Sequence, residues 1–144
     1  MRVLLDTNIL VRAFIESEGP ASFVLLALLP PENELILSGE ILFEVARVLR
    51  STRIVAIHQE PGGAVYDFIW RLRNAAEIVP PSPLVVTPTR DANDIAILQA
   101  ALSGKADVLC TCDRDFFEPP ASVFLANLGI AVLTDAQLMQ KLKA

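Results

Sequence analysis

Short, continuous apolar runs alternate along this chain with stretches of helical periodicity, and that alternation restricts the fold more than any other feature. Val3-Leu4-Leu5 precedes a helical pattern over residues 8–15, and Val108-Leu109-Cys110-Thr111 follows another over residues 91–102. An unbroken apolar run suits a strand buried on both faces, and such strands belong to parallel sheets covered by helices on each side. An α/β domain with a central, mainly parallel sheet is the expectation. Both runs give way to acids, Asp6 directly and Asp113 two residues after Thr111. If the runs are strands, those acids lie just past the carboxyl ends, where open α/β sheets collect ligands and catalytic groups.

The rest of the chain fits the same scheme. A strand is expected over residues 34–37, with Ser38 capping a helix that runs to about Arg50. Pro20 suits the first turn of a helix over residues 21–29 that is apolar nearly all round, so it must be buried or covered by a partner. His58 to Gly63 reads as a surface loop. Residues 64–76 form a helix with a core stripe of Val65, Phe68, Ile69, Leu72 and Ala76. A proline-rich stretch follows, with Leu84-Val85-Val86 as an edge strand. A final strand spans 130–133, and Thr134 caps a helix over 135–142. Residues 1–144 are expected to form one domain. The apolar fraction of 53% exceeds the roughly 45–50% of ordinary globular chains, which excludes disorder. No run approaches the length of a membrane span, and the first is interrupted by Asp6 too soon for a signal peptide. A cytoplasmic protein is expected.

Scarcity of other groups narrows the chemistry. His58 is the only histidine, and Cys110 and Cys112 are too close together for an ordinary disulfide. Zinc sites, Ser-His-Asp triads and Cys-His pairs are therefore excluded. What remains is carboxylates: Asp6, Glu44, Asp94 and Asp113. Asp6 could cap the helix that follows it. Glu44 flanks a stripe of Ile41, Val45, Val48 and Leu49, where it either faces a cleft or snorkels outward. Asp94 shares a stripe with Leu98 and Ala101, so a carboxylate sits on the buried side of its helix, with Asp91 the better cap. Asp113 and Asp115 form a D-x-D pair in which one caps a turn and the other stays free. Acids converging in a dry cleft stay ionised only if a cation joins them, and hard oxygen ligands suit Mg²⁺ or Mn²⁺.

The net charge of −5 argues against a polyanionic partner at first sight. The four acids account for most of it, leaving a nearly neutral surface on which Arg47, Arg50 and Arg53 form a local basic run. Tyr66, Trp70 and Arg73 line a second face of their helix, which reads as a broad buried face or subunit contact rather than a base-stacking platform.

Leu5-Asp6-Thr7-Asn8-Ile9-Leu10, Ser38 with Glu44, Arg90-Asp91-Ala92-Asn93-Asp94 and Thr111-Cys112-Asp113-Arg114-Asp115-Phe116 occur in the order and spacing of PIN-domain ribonucleases. The resemblance covers most of the chain and is closest to the VapC-like group of toxin–antitoxin systems. It implies a three-layer α/β/α fold and Mg²⁺- or Mn²⁺-dependent endoribonuclease activity on single-stranded or loop RNA, through metal-activated water. It also implies an antitoxin partner. By motif, Asp6, Glu44, Asp94 and Asp113 are the metal-site acids, joined by Asp115 and supported by Asn8, Thr111 and Asp91. Arg47, Arg50 and Arg53 are the candidate RNA contacts, and the exposed apolar faces predict a homodimer. Cys112 departs from the pattern, standing where a small residue is expected. Two alternatives are a non-catalytic PIN-fold binding module and an aspartyl-phosphate phosphotransferase. The latter needs an acid two residues after Asp6, where this chain has Asn8.

Overall fold

The computed structural model describes residues 1–83 and 88–144. Among the described residues, five strands form a parallel sheet in the order β3-β2-β1-β4-β5. β1 (Arg2–Leu5) lies at the centre, pairing Leu4 with Ile36 of β2 (Glu34–Leu37) on one side and with Leu109 of β4 (Val108–Cys110) on the other. Val3, Leu4 and Leu5 have no exposed surface, as a central strand covered on both faces must.

The chain moves outward from β1 to β2 to β3 (Glu77–Ile78), then returns across β1 to β4 and β5 (Ala131–Leu133). Right-handed crossovers therefore place helices on opposite faces before and after that return. One layer runs α8–α2–α1–α3–α5, comprising α1 (Thr7–Ile15), α2 (Pro20–Ala27), α3 (Gly39–Leu49), α5 (Gly62–Ala75) and α8 (Asp135–Lys143). The other holds α6 (Ala92–Ser103) and α7 (Ala121–Asn127). The three-layer α/β/α architecture and the parallel sheet are those expected.

Several elements differ from expectation. α4 (Thr52–His58) was not foreseen; Ile54 is its only buried residue, so it offers no stripe to read. His58 is not a surface-loop residue but ends that helix, half-buried. Its Nε2 lies 2.8 Å from the Leu49 carbonyl, its Nδ1 accepts the Glu60 amide at 2.9 Å, and its ring meets Phe14 edge-on. Among the described residues β3 is one outer strand of the sheet, and its two residues are both exposed; the expected strand at Leu84-Val85-Val86 lies outside the described residues. Gln137 completes a capping box with Thr134 on α8.

At the amino end of the sheet Arg2 ties the strand starts together. Its guanidinium pairs with Glu34 and Glu77, its Nε donates to the Gly104 carbonyl at 2.8 Å, and its amide donates to Asp107 at 2.8 Å. Gly104 is there because α6 ends against β2: a Cβ would stand 2.6 Å from Ile36 Cγ2 and 3.0 Å from the Ala100 carbonyl. Gly104→Ala is expected to cost about 1–3 kcal/mol by overpacking. A thermal melt checks this, and an unchanged melting temperature would show that the contact relaxes freely.

Candidate metal centre

The strand order reverses between β1 and β4, and the carboxyl ends of those two strands carry the chemistry. Asp6 leaves β1 in an extended conformation and caps α1, its Oδ1 accepting the Thr7 amide at 2.7 Å. Its own amide donates to the Cys110 carbonyl at 3.0 Å, joining the two strand ends. The buried Thr111 hydroxyl donates to Asp6 Oδ2 at 2.7 Å and accepts the Asp113 amide at 2.9 Å. Asn8 bridges the same gap, donating to Asp6 Oδ2 at 3.1 Å and accepting the Cys112 amide at 3.2 Å. Burial pushes the Asp6 carboxyl up despite these bonds, and nearby Asp113 adds to the rise.

Asp91 caps α6, accepting the amides of Asn93 at 2.9 Å and Asp94 at 3.3 Å. The cap is thus Asp91, and Asp94 is left to face the cleft from the first turn. Its carboxyl is pushed up to about 6, first by burial and then by the charges of Asp91, Asp113, Asp6 and Asp115. Asp113 accepts the Asp115 amide at 3.0 Å and so starts a 3₁₀ turn, Arg114–Phe117. Asp94, Asp113 and Asp115 can each offer an oxygen within 4.8 Å of the others.

Glu44 stands apart from that trio. It lines the same cleft, but both of its oxygens are taken by Arg47, at 3.0 Å from Nε and 2.6 Å from the terminal nitrogen. Arg47 is correspondingly committed. Arg50 is exposed at the end of α3, and Arg53 lies on the cleft wall. The cleft, of ≈ 1090 Å³, is lined by Asp6, Asp94 and Asp113 together with apolar Phe43, Ile54 and Ile57.

Sequence reasoning missed Arg12 and Asp135. Arg12 lines the cleft and donates at 2.8 Å to Asp135, a buried carboxylate at the start of α8. Asp135 follows the Thr134 cap, so it reads locally as an ordinary first-turn acid. The side chain of Cys112 packs between them, 3.3 Å from Arg12 and 3.7 Å from Asp135.

The donor set at the cleft floor is carboxylate oxygen, the chemistry that Mg²⁺ or Mn²⁺ selects. Asp94, Asp113 and Asp115 bring one such oxygen each to within 4.8 Å of the others, so the residues present fit such an ion.

The sequence matches the PIN domain family over residues 2–115. No curated protein matches it. Among solved structures, the fold is similar to a chain of VapBC2 from Rickettsia felis, solved bound to a DNA fragment from its promoter. The TM-score is 0.60 and the identity 19%, over 93% of this chain and 98% of that one. It is also similar to a chain of VapBC-1 from nontypeable Haemophilus influenzae, with a TM-score of 0.58 and 16% identity over 94% and 99%.

Proposed function

The chain belongs to the PIN-domain family, and from that premise we propose that residues 1–144 form a Mg²⁺- or Mn²⁺-dependent endoribonuclease acting as the toxin of a toxin–antitoxin pair. The observation that carries this reading is the acid trio of Asp94, Asp113 and Asp115, gathered from α6 and the end of β4 beside buried Asp6.

Asp94, Asp113 and Asp115 would hold the ion, with Asp6 beside them and Glu44 reaching it on release from Arg47. The ion, when bound, supplies positive charge at the scissile phosphate and a more acidic water as nucleophile. Thr111 and Asn8 keep Asp6 oriented, and Asp91 keeps α6 from turning Asp94 away. No side chain has to form a covalent bond to phosphorus, which agrees with the absence of a histidine near the acids. Arg53 on the cleft wall and exposed Arg50 would meet RNA phosphates, joined by Arg47 once it releases Glu44. A recessed acidic cleft favours a flexible single strand or loop over a rigid duplex.

Likeness in fold to the VapBC proteins supports an antitoxin partner. Tyr66 and Trp70 on α5, and Leu26 on α2, are each more than half exposed, which supports a homodimer. Among the described residues no helix is long and apolar enough to cross a membrane, and the proposed site of action is the cytoplasm. The test is cleavage of a labelled single-stranded RNA by the purified chain. Activity should be lost in EDTA and restored by Mn²⁺; binding of RNA without any cleavage would replace the enzyme with a binding module.

A further inference from the structure

Seven acids line the cleft, Asp6, Asp94 and Asp113 among them, and a polyanion entering it needs a cation held in place. Arg12 and Arg53 are the two basic residues on its wall. They differ in how they are held. Arg53 is exposed near the start of α4, whereas Arg12 is gripped by Asp135, whose side chain is only 5% exposed. The grip uses one terminal nitrogen of Arg12, which also touches Cys112. Among the described residues, its other terminal nitrogen and Nε make no hydrogen bond, and the side chain remains 44% exposed. Arg47, by contrast, spends the Nε–Nη2 edge of its fork on Glu44 in a bidentate pair. Arg12 also stands one helical turn beyond Asn8, whose amide holds Asp6, so it is placed beside the acid floor.

Resting on the nuclease reading above, we infer that Arg12, positioned by Asp135, is the residue that binds an RNA phosphate next to the scissile one. A guanidinium fixed through one nitrogen keeps the rest of its planar fork for a phosphate and loses little further freedom on binding. The buried carboxylate of Asp135 has no other basic partner among the described residues, so the pair holds together before substrate arrives. Asp135 is a positioning residue; Arg12 makes the contact.

The test is single-turnover cleavage of a 5′-labelled single-stranded RNA with Mn²⁺, run across protein and salt concentrations. Arg12→Gln should raise the half-saturating protein concentration about tenfold while lowering the maximal rate far less, as expected for one lost charge-assisted contact. Loss of one phosphate contact should also make the salt dependence shallower by about 0.7 in log–log slope. Arg12→Lys should keep the wild-type slope with an intermediate half-saturation point. A clasp between α1 and α8 with no role in binding would lower the melting temperature and leave slope and half-saturation unchanged, and that result overturns the inference. Should Arg12→Gln fail to fold, Arg12→Lys decides: wild-type half-saturation sinks the assignment, a threefold or greater rise sustains it. A wild-type chain that shows no Mn²⁺-dependent cleavage overturns the nuclease reading and this inference together, whereas a cleaving wild type matched by Arg12→Gln overturns this inference alone.

Discussion

Asp94→Asn is expected to abolish metal-dependent cleavage while making the metal-free protein more stable at pH 7. The Asp94 carboxyl is pushed up to about 6 from 3.8, chiefly by burial and by Asp91. A folded-state value above the unfolded one means that the native chain binds the extra proton. Its contribution to stability is complete below the unfolded value and is lost as pH rises through about 6. Ionised Asp94 therefore destabilises the metal-free fold at neutral pH. Asp94 is only half-buried, and solvent screening reduces the effect to about 1 kcal/mol, or roughly 2–4 °C in melting temperature. In EDTA, the wild type should melt lower at pH 7 than at pH 5, and Asp94→Asn should remove much of that difference. Added Mn²⁺ should raise the wild-type melting temperature through binding to the native state and leave the mutant nearly unmoved. Cleavage should fall by on the order of 100–1,000-fold or more. Wild type unaffected by Mn²⁺, with a mutant that melts identically in every condition, would remove Asp94 from any metal site.

Asp6 should separate folding from chemistry through two substitutions. Its side chain accepts from Thr7, Asn8 and Thr111, and it caps α1. Asp6→Ala removes the cap, at about 1 kcal/mol. It also strips the buried Thr111 hydroxyl of its acceptor, at about 1–3 kcal/mol. Together these predict a melting temperature lower by roughly 4–16 °C. Asp6→Asn keeps one oxygen, which serves the Thr7 cap or Thr111 but not both, since these bonds fall on different oxygens of Asp6; relief of the buried charge offsets part of that loss, so it should melt clearly above Asp6→Ala. Both should lose Mn²⁺-dependent cleavage. An Asp6→Asn protein that cleaves at the wild-type rate would show that Asp6 has a structural role alone.

The features that were legible in the sequence are those whose cause is local. Val3-Leu4-Leu5 and Val108-Leu109-Cys110 announce buried parallel strands because nothing polar interrupts them. Asp94 stands out because helical spacing puts it among Leu98 and Ala101, and Asp91 three residues earlier is a ready cap. α4 was invisible because one buried side chain, Ile54, makes no pattern. β3 was invisible because its two exposed residues owe their conformation to pairing with Ile36 and Leu37 of β2. The Glu44–Arg47 pair has an i,i+3 spacing that sequence does display, yet only the fold shows the guanidinium taking both carboxylate oxygens. The Arg12–Asp135 pair spans 123 positions and joins the first helix to the last. No local pattern carries such a contact.

The acids of this cleft are proposed to cleave RNA through a divalent ion and water. The most direct measurement incubates a labelled RNA hairpin with the purified chain in Mn²⁺, in Mg²⁺ and in EDTA, and identifies the chemistry of the new ends. Water attacking in line predicts cuts in the single-stranded loop, 5′-phosphate and 3′-hydroxyl ends, and no product in EDTA. Cyclic phosphate ends, or cleavage that survives EDTA, would contradict it.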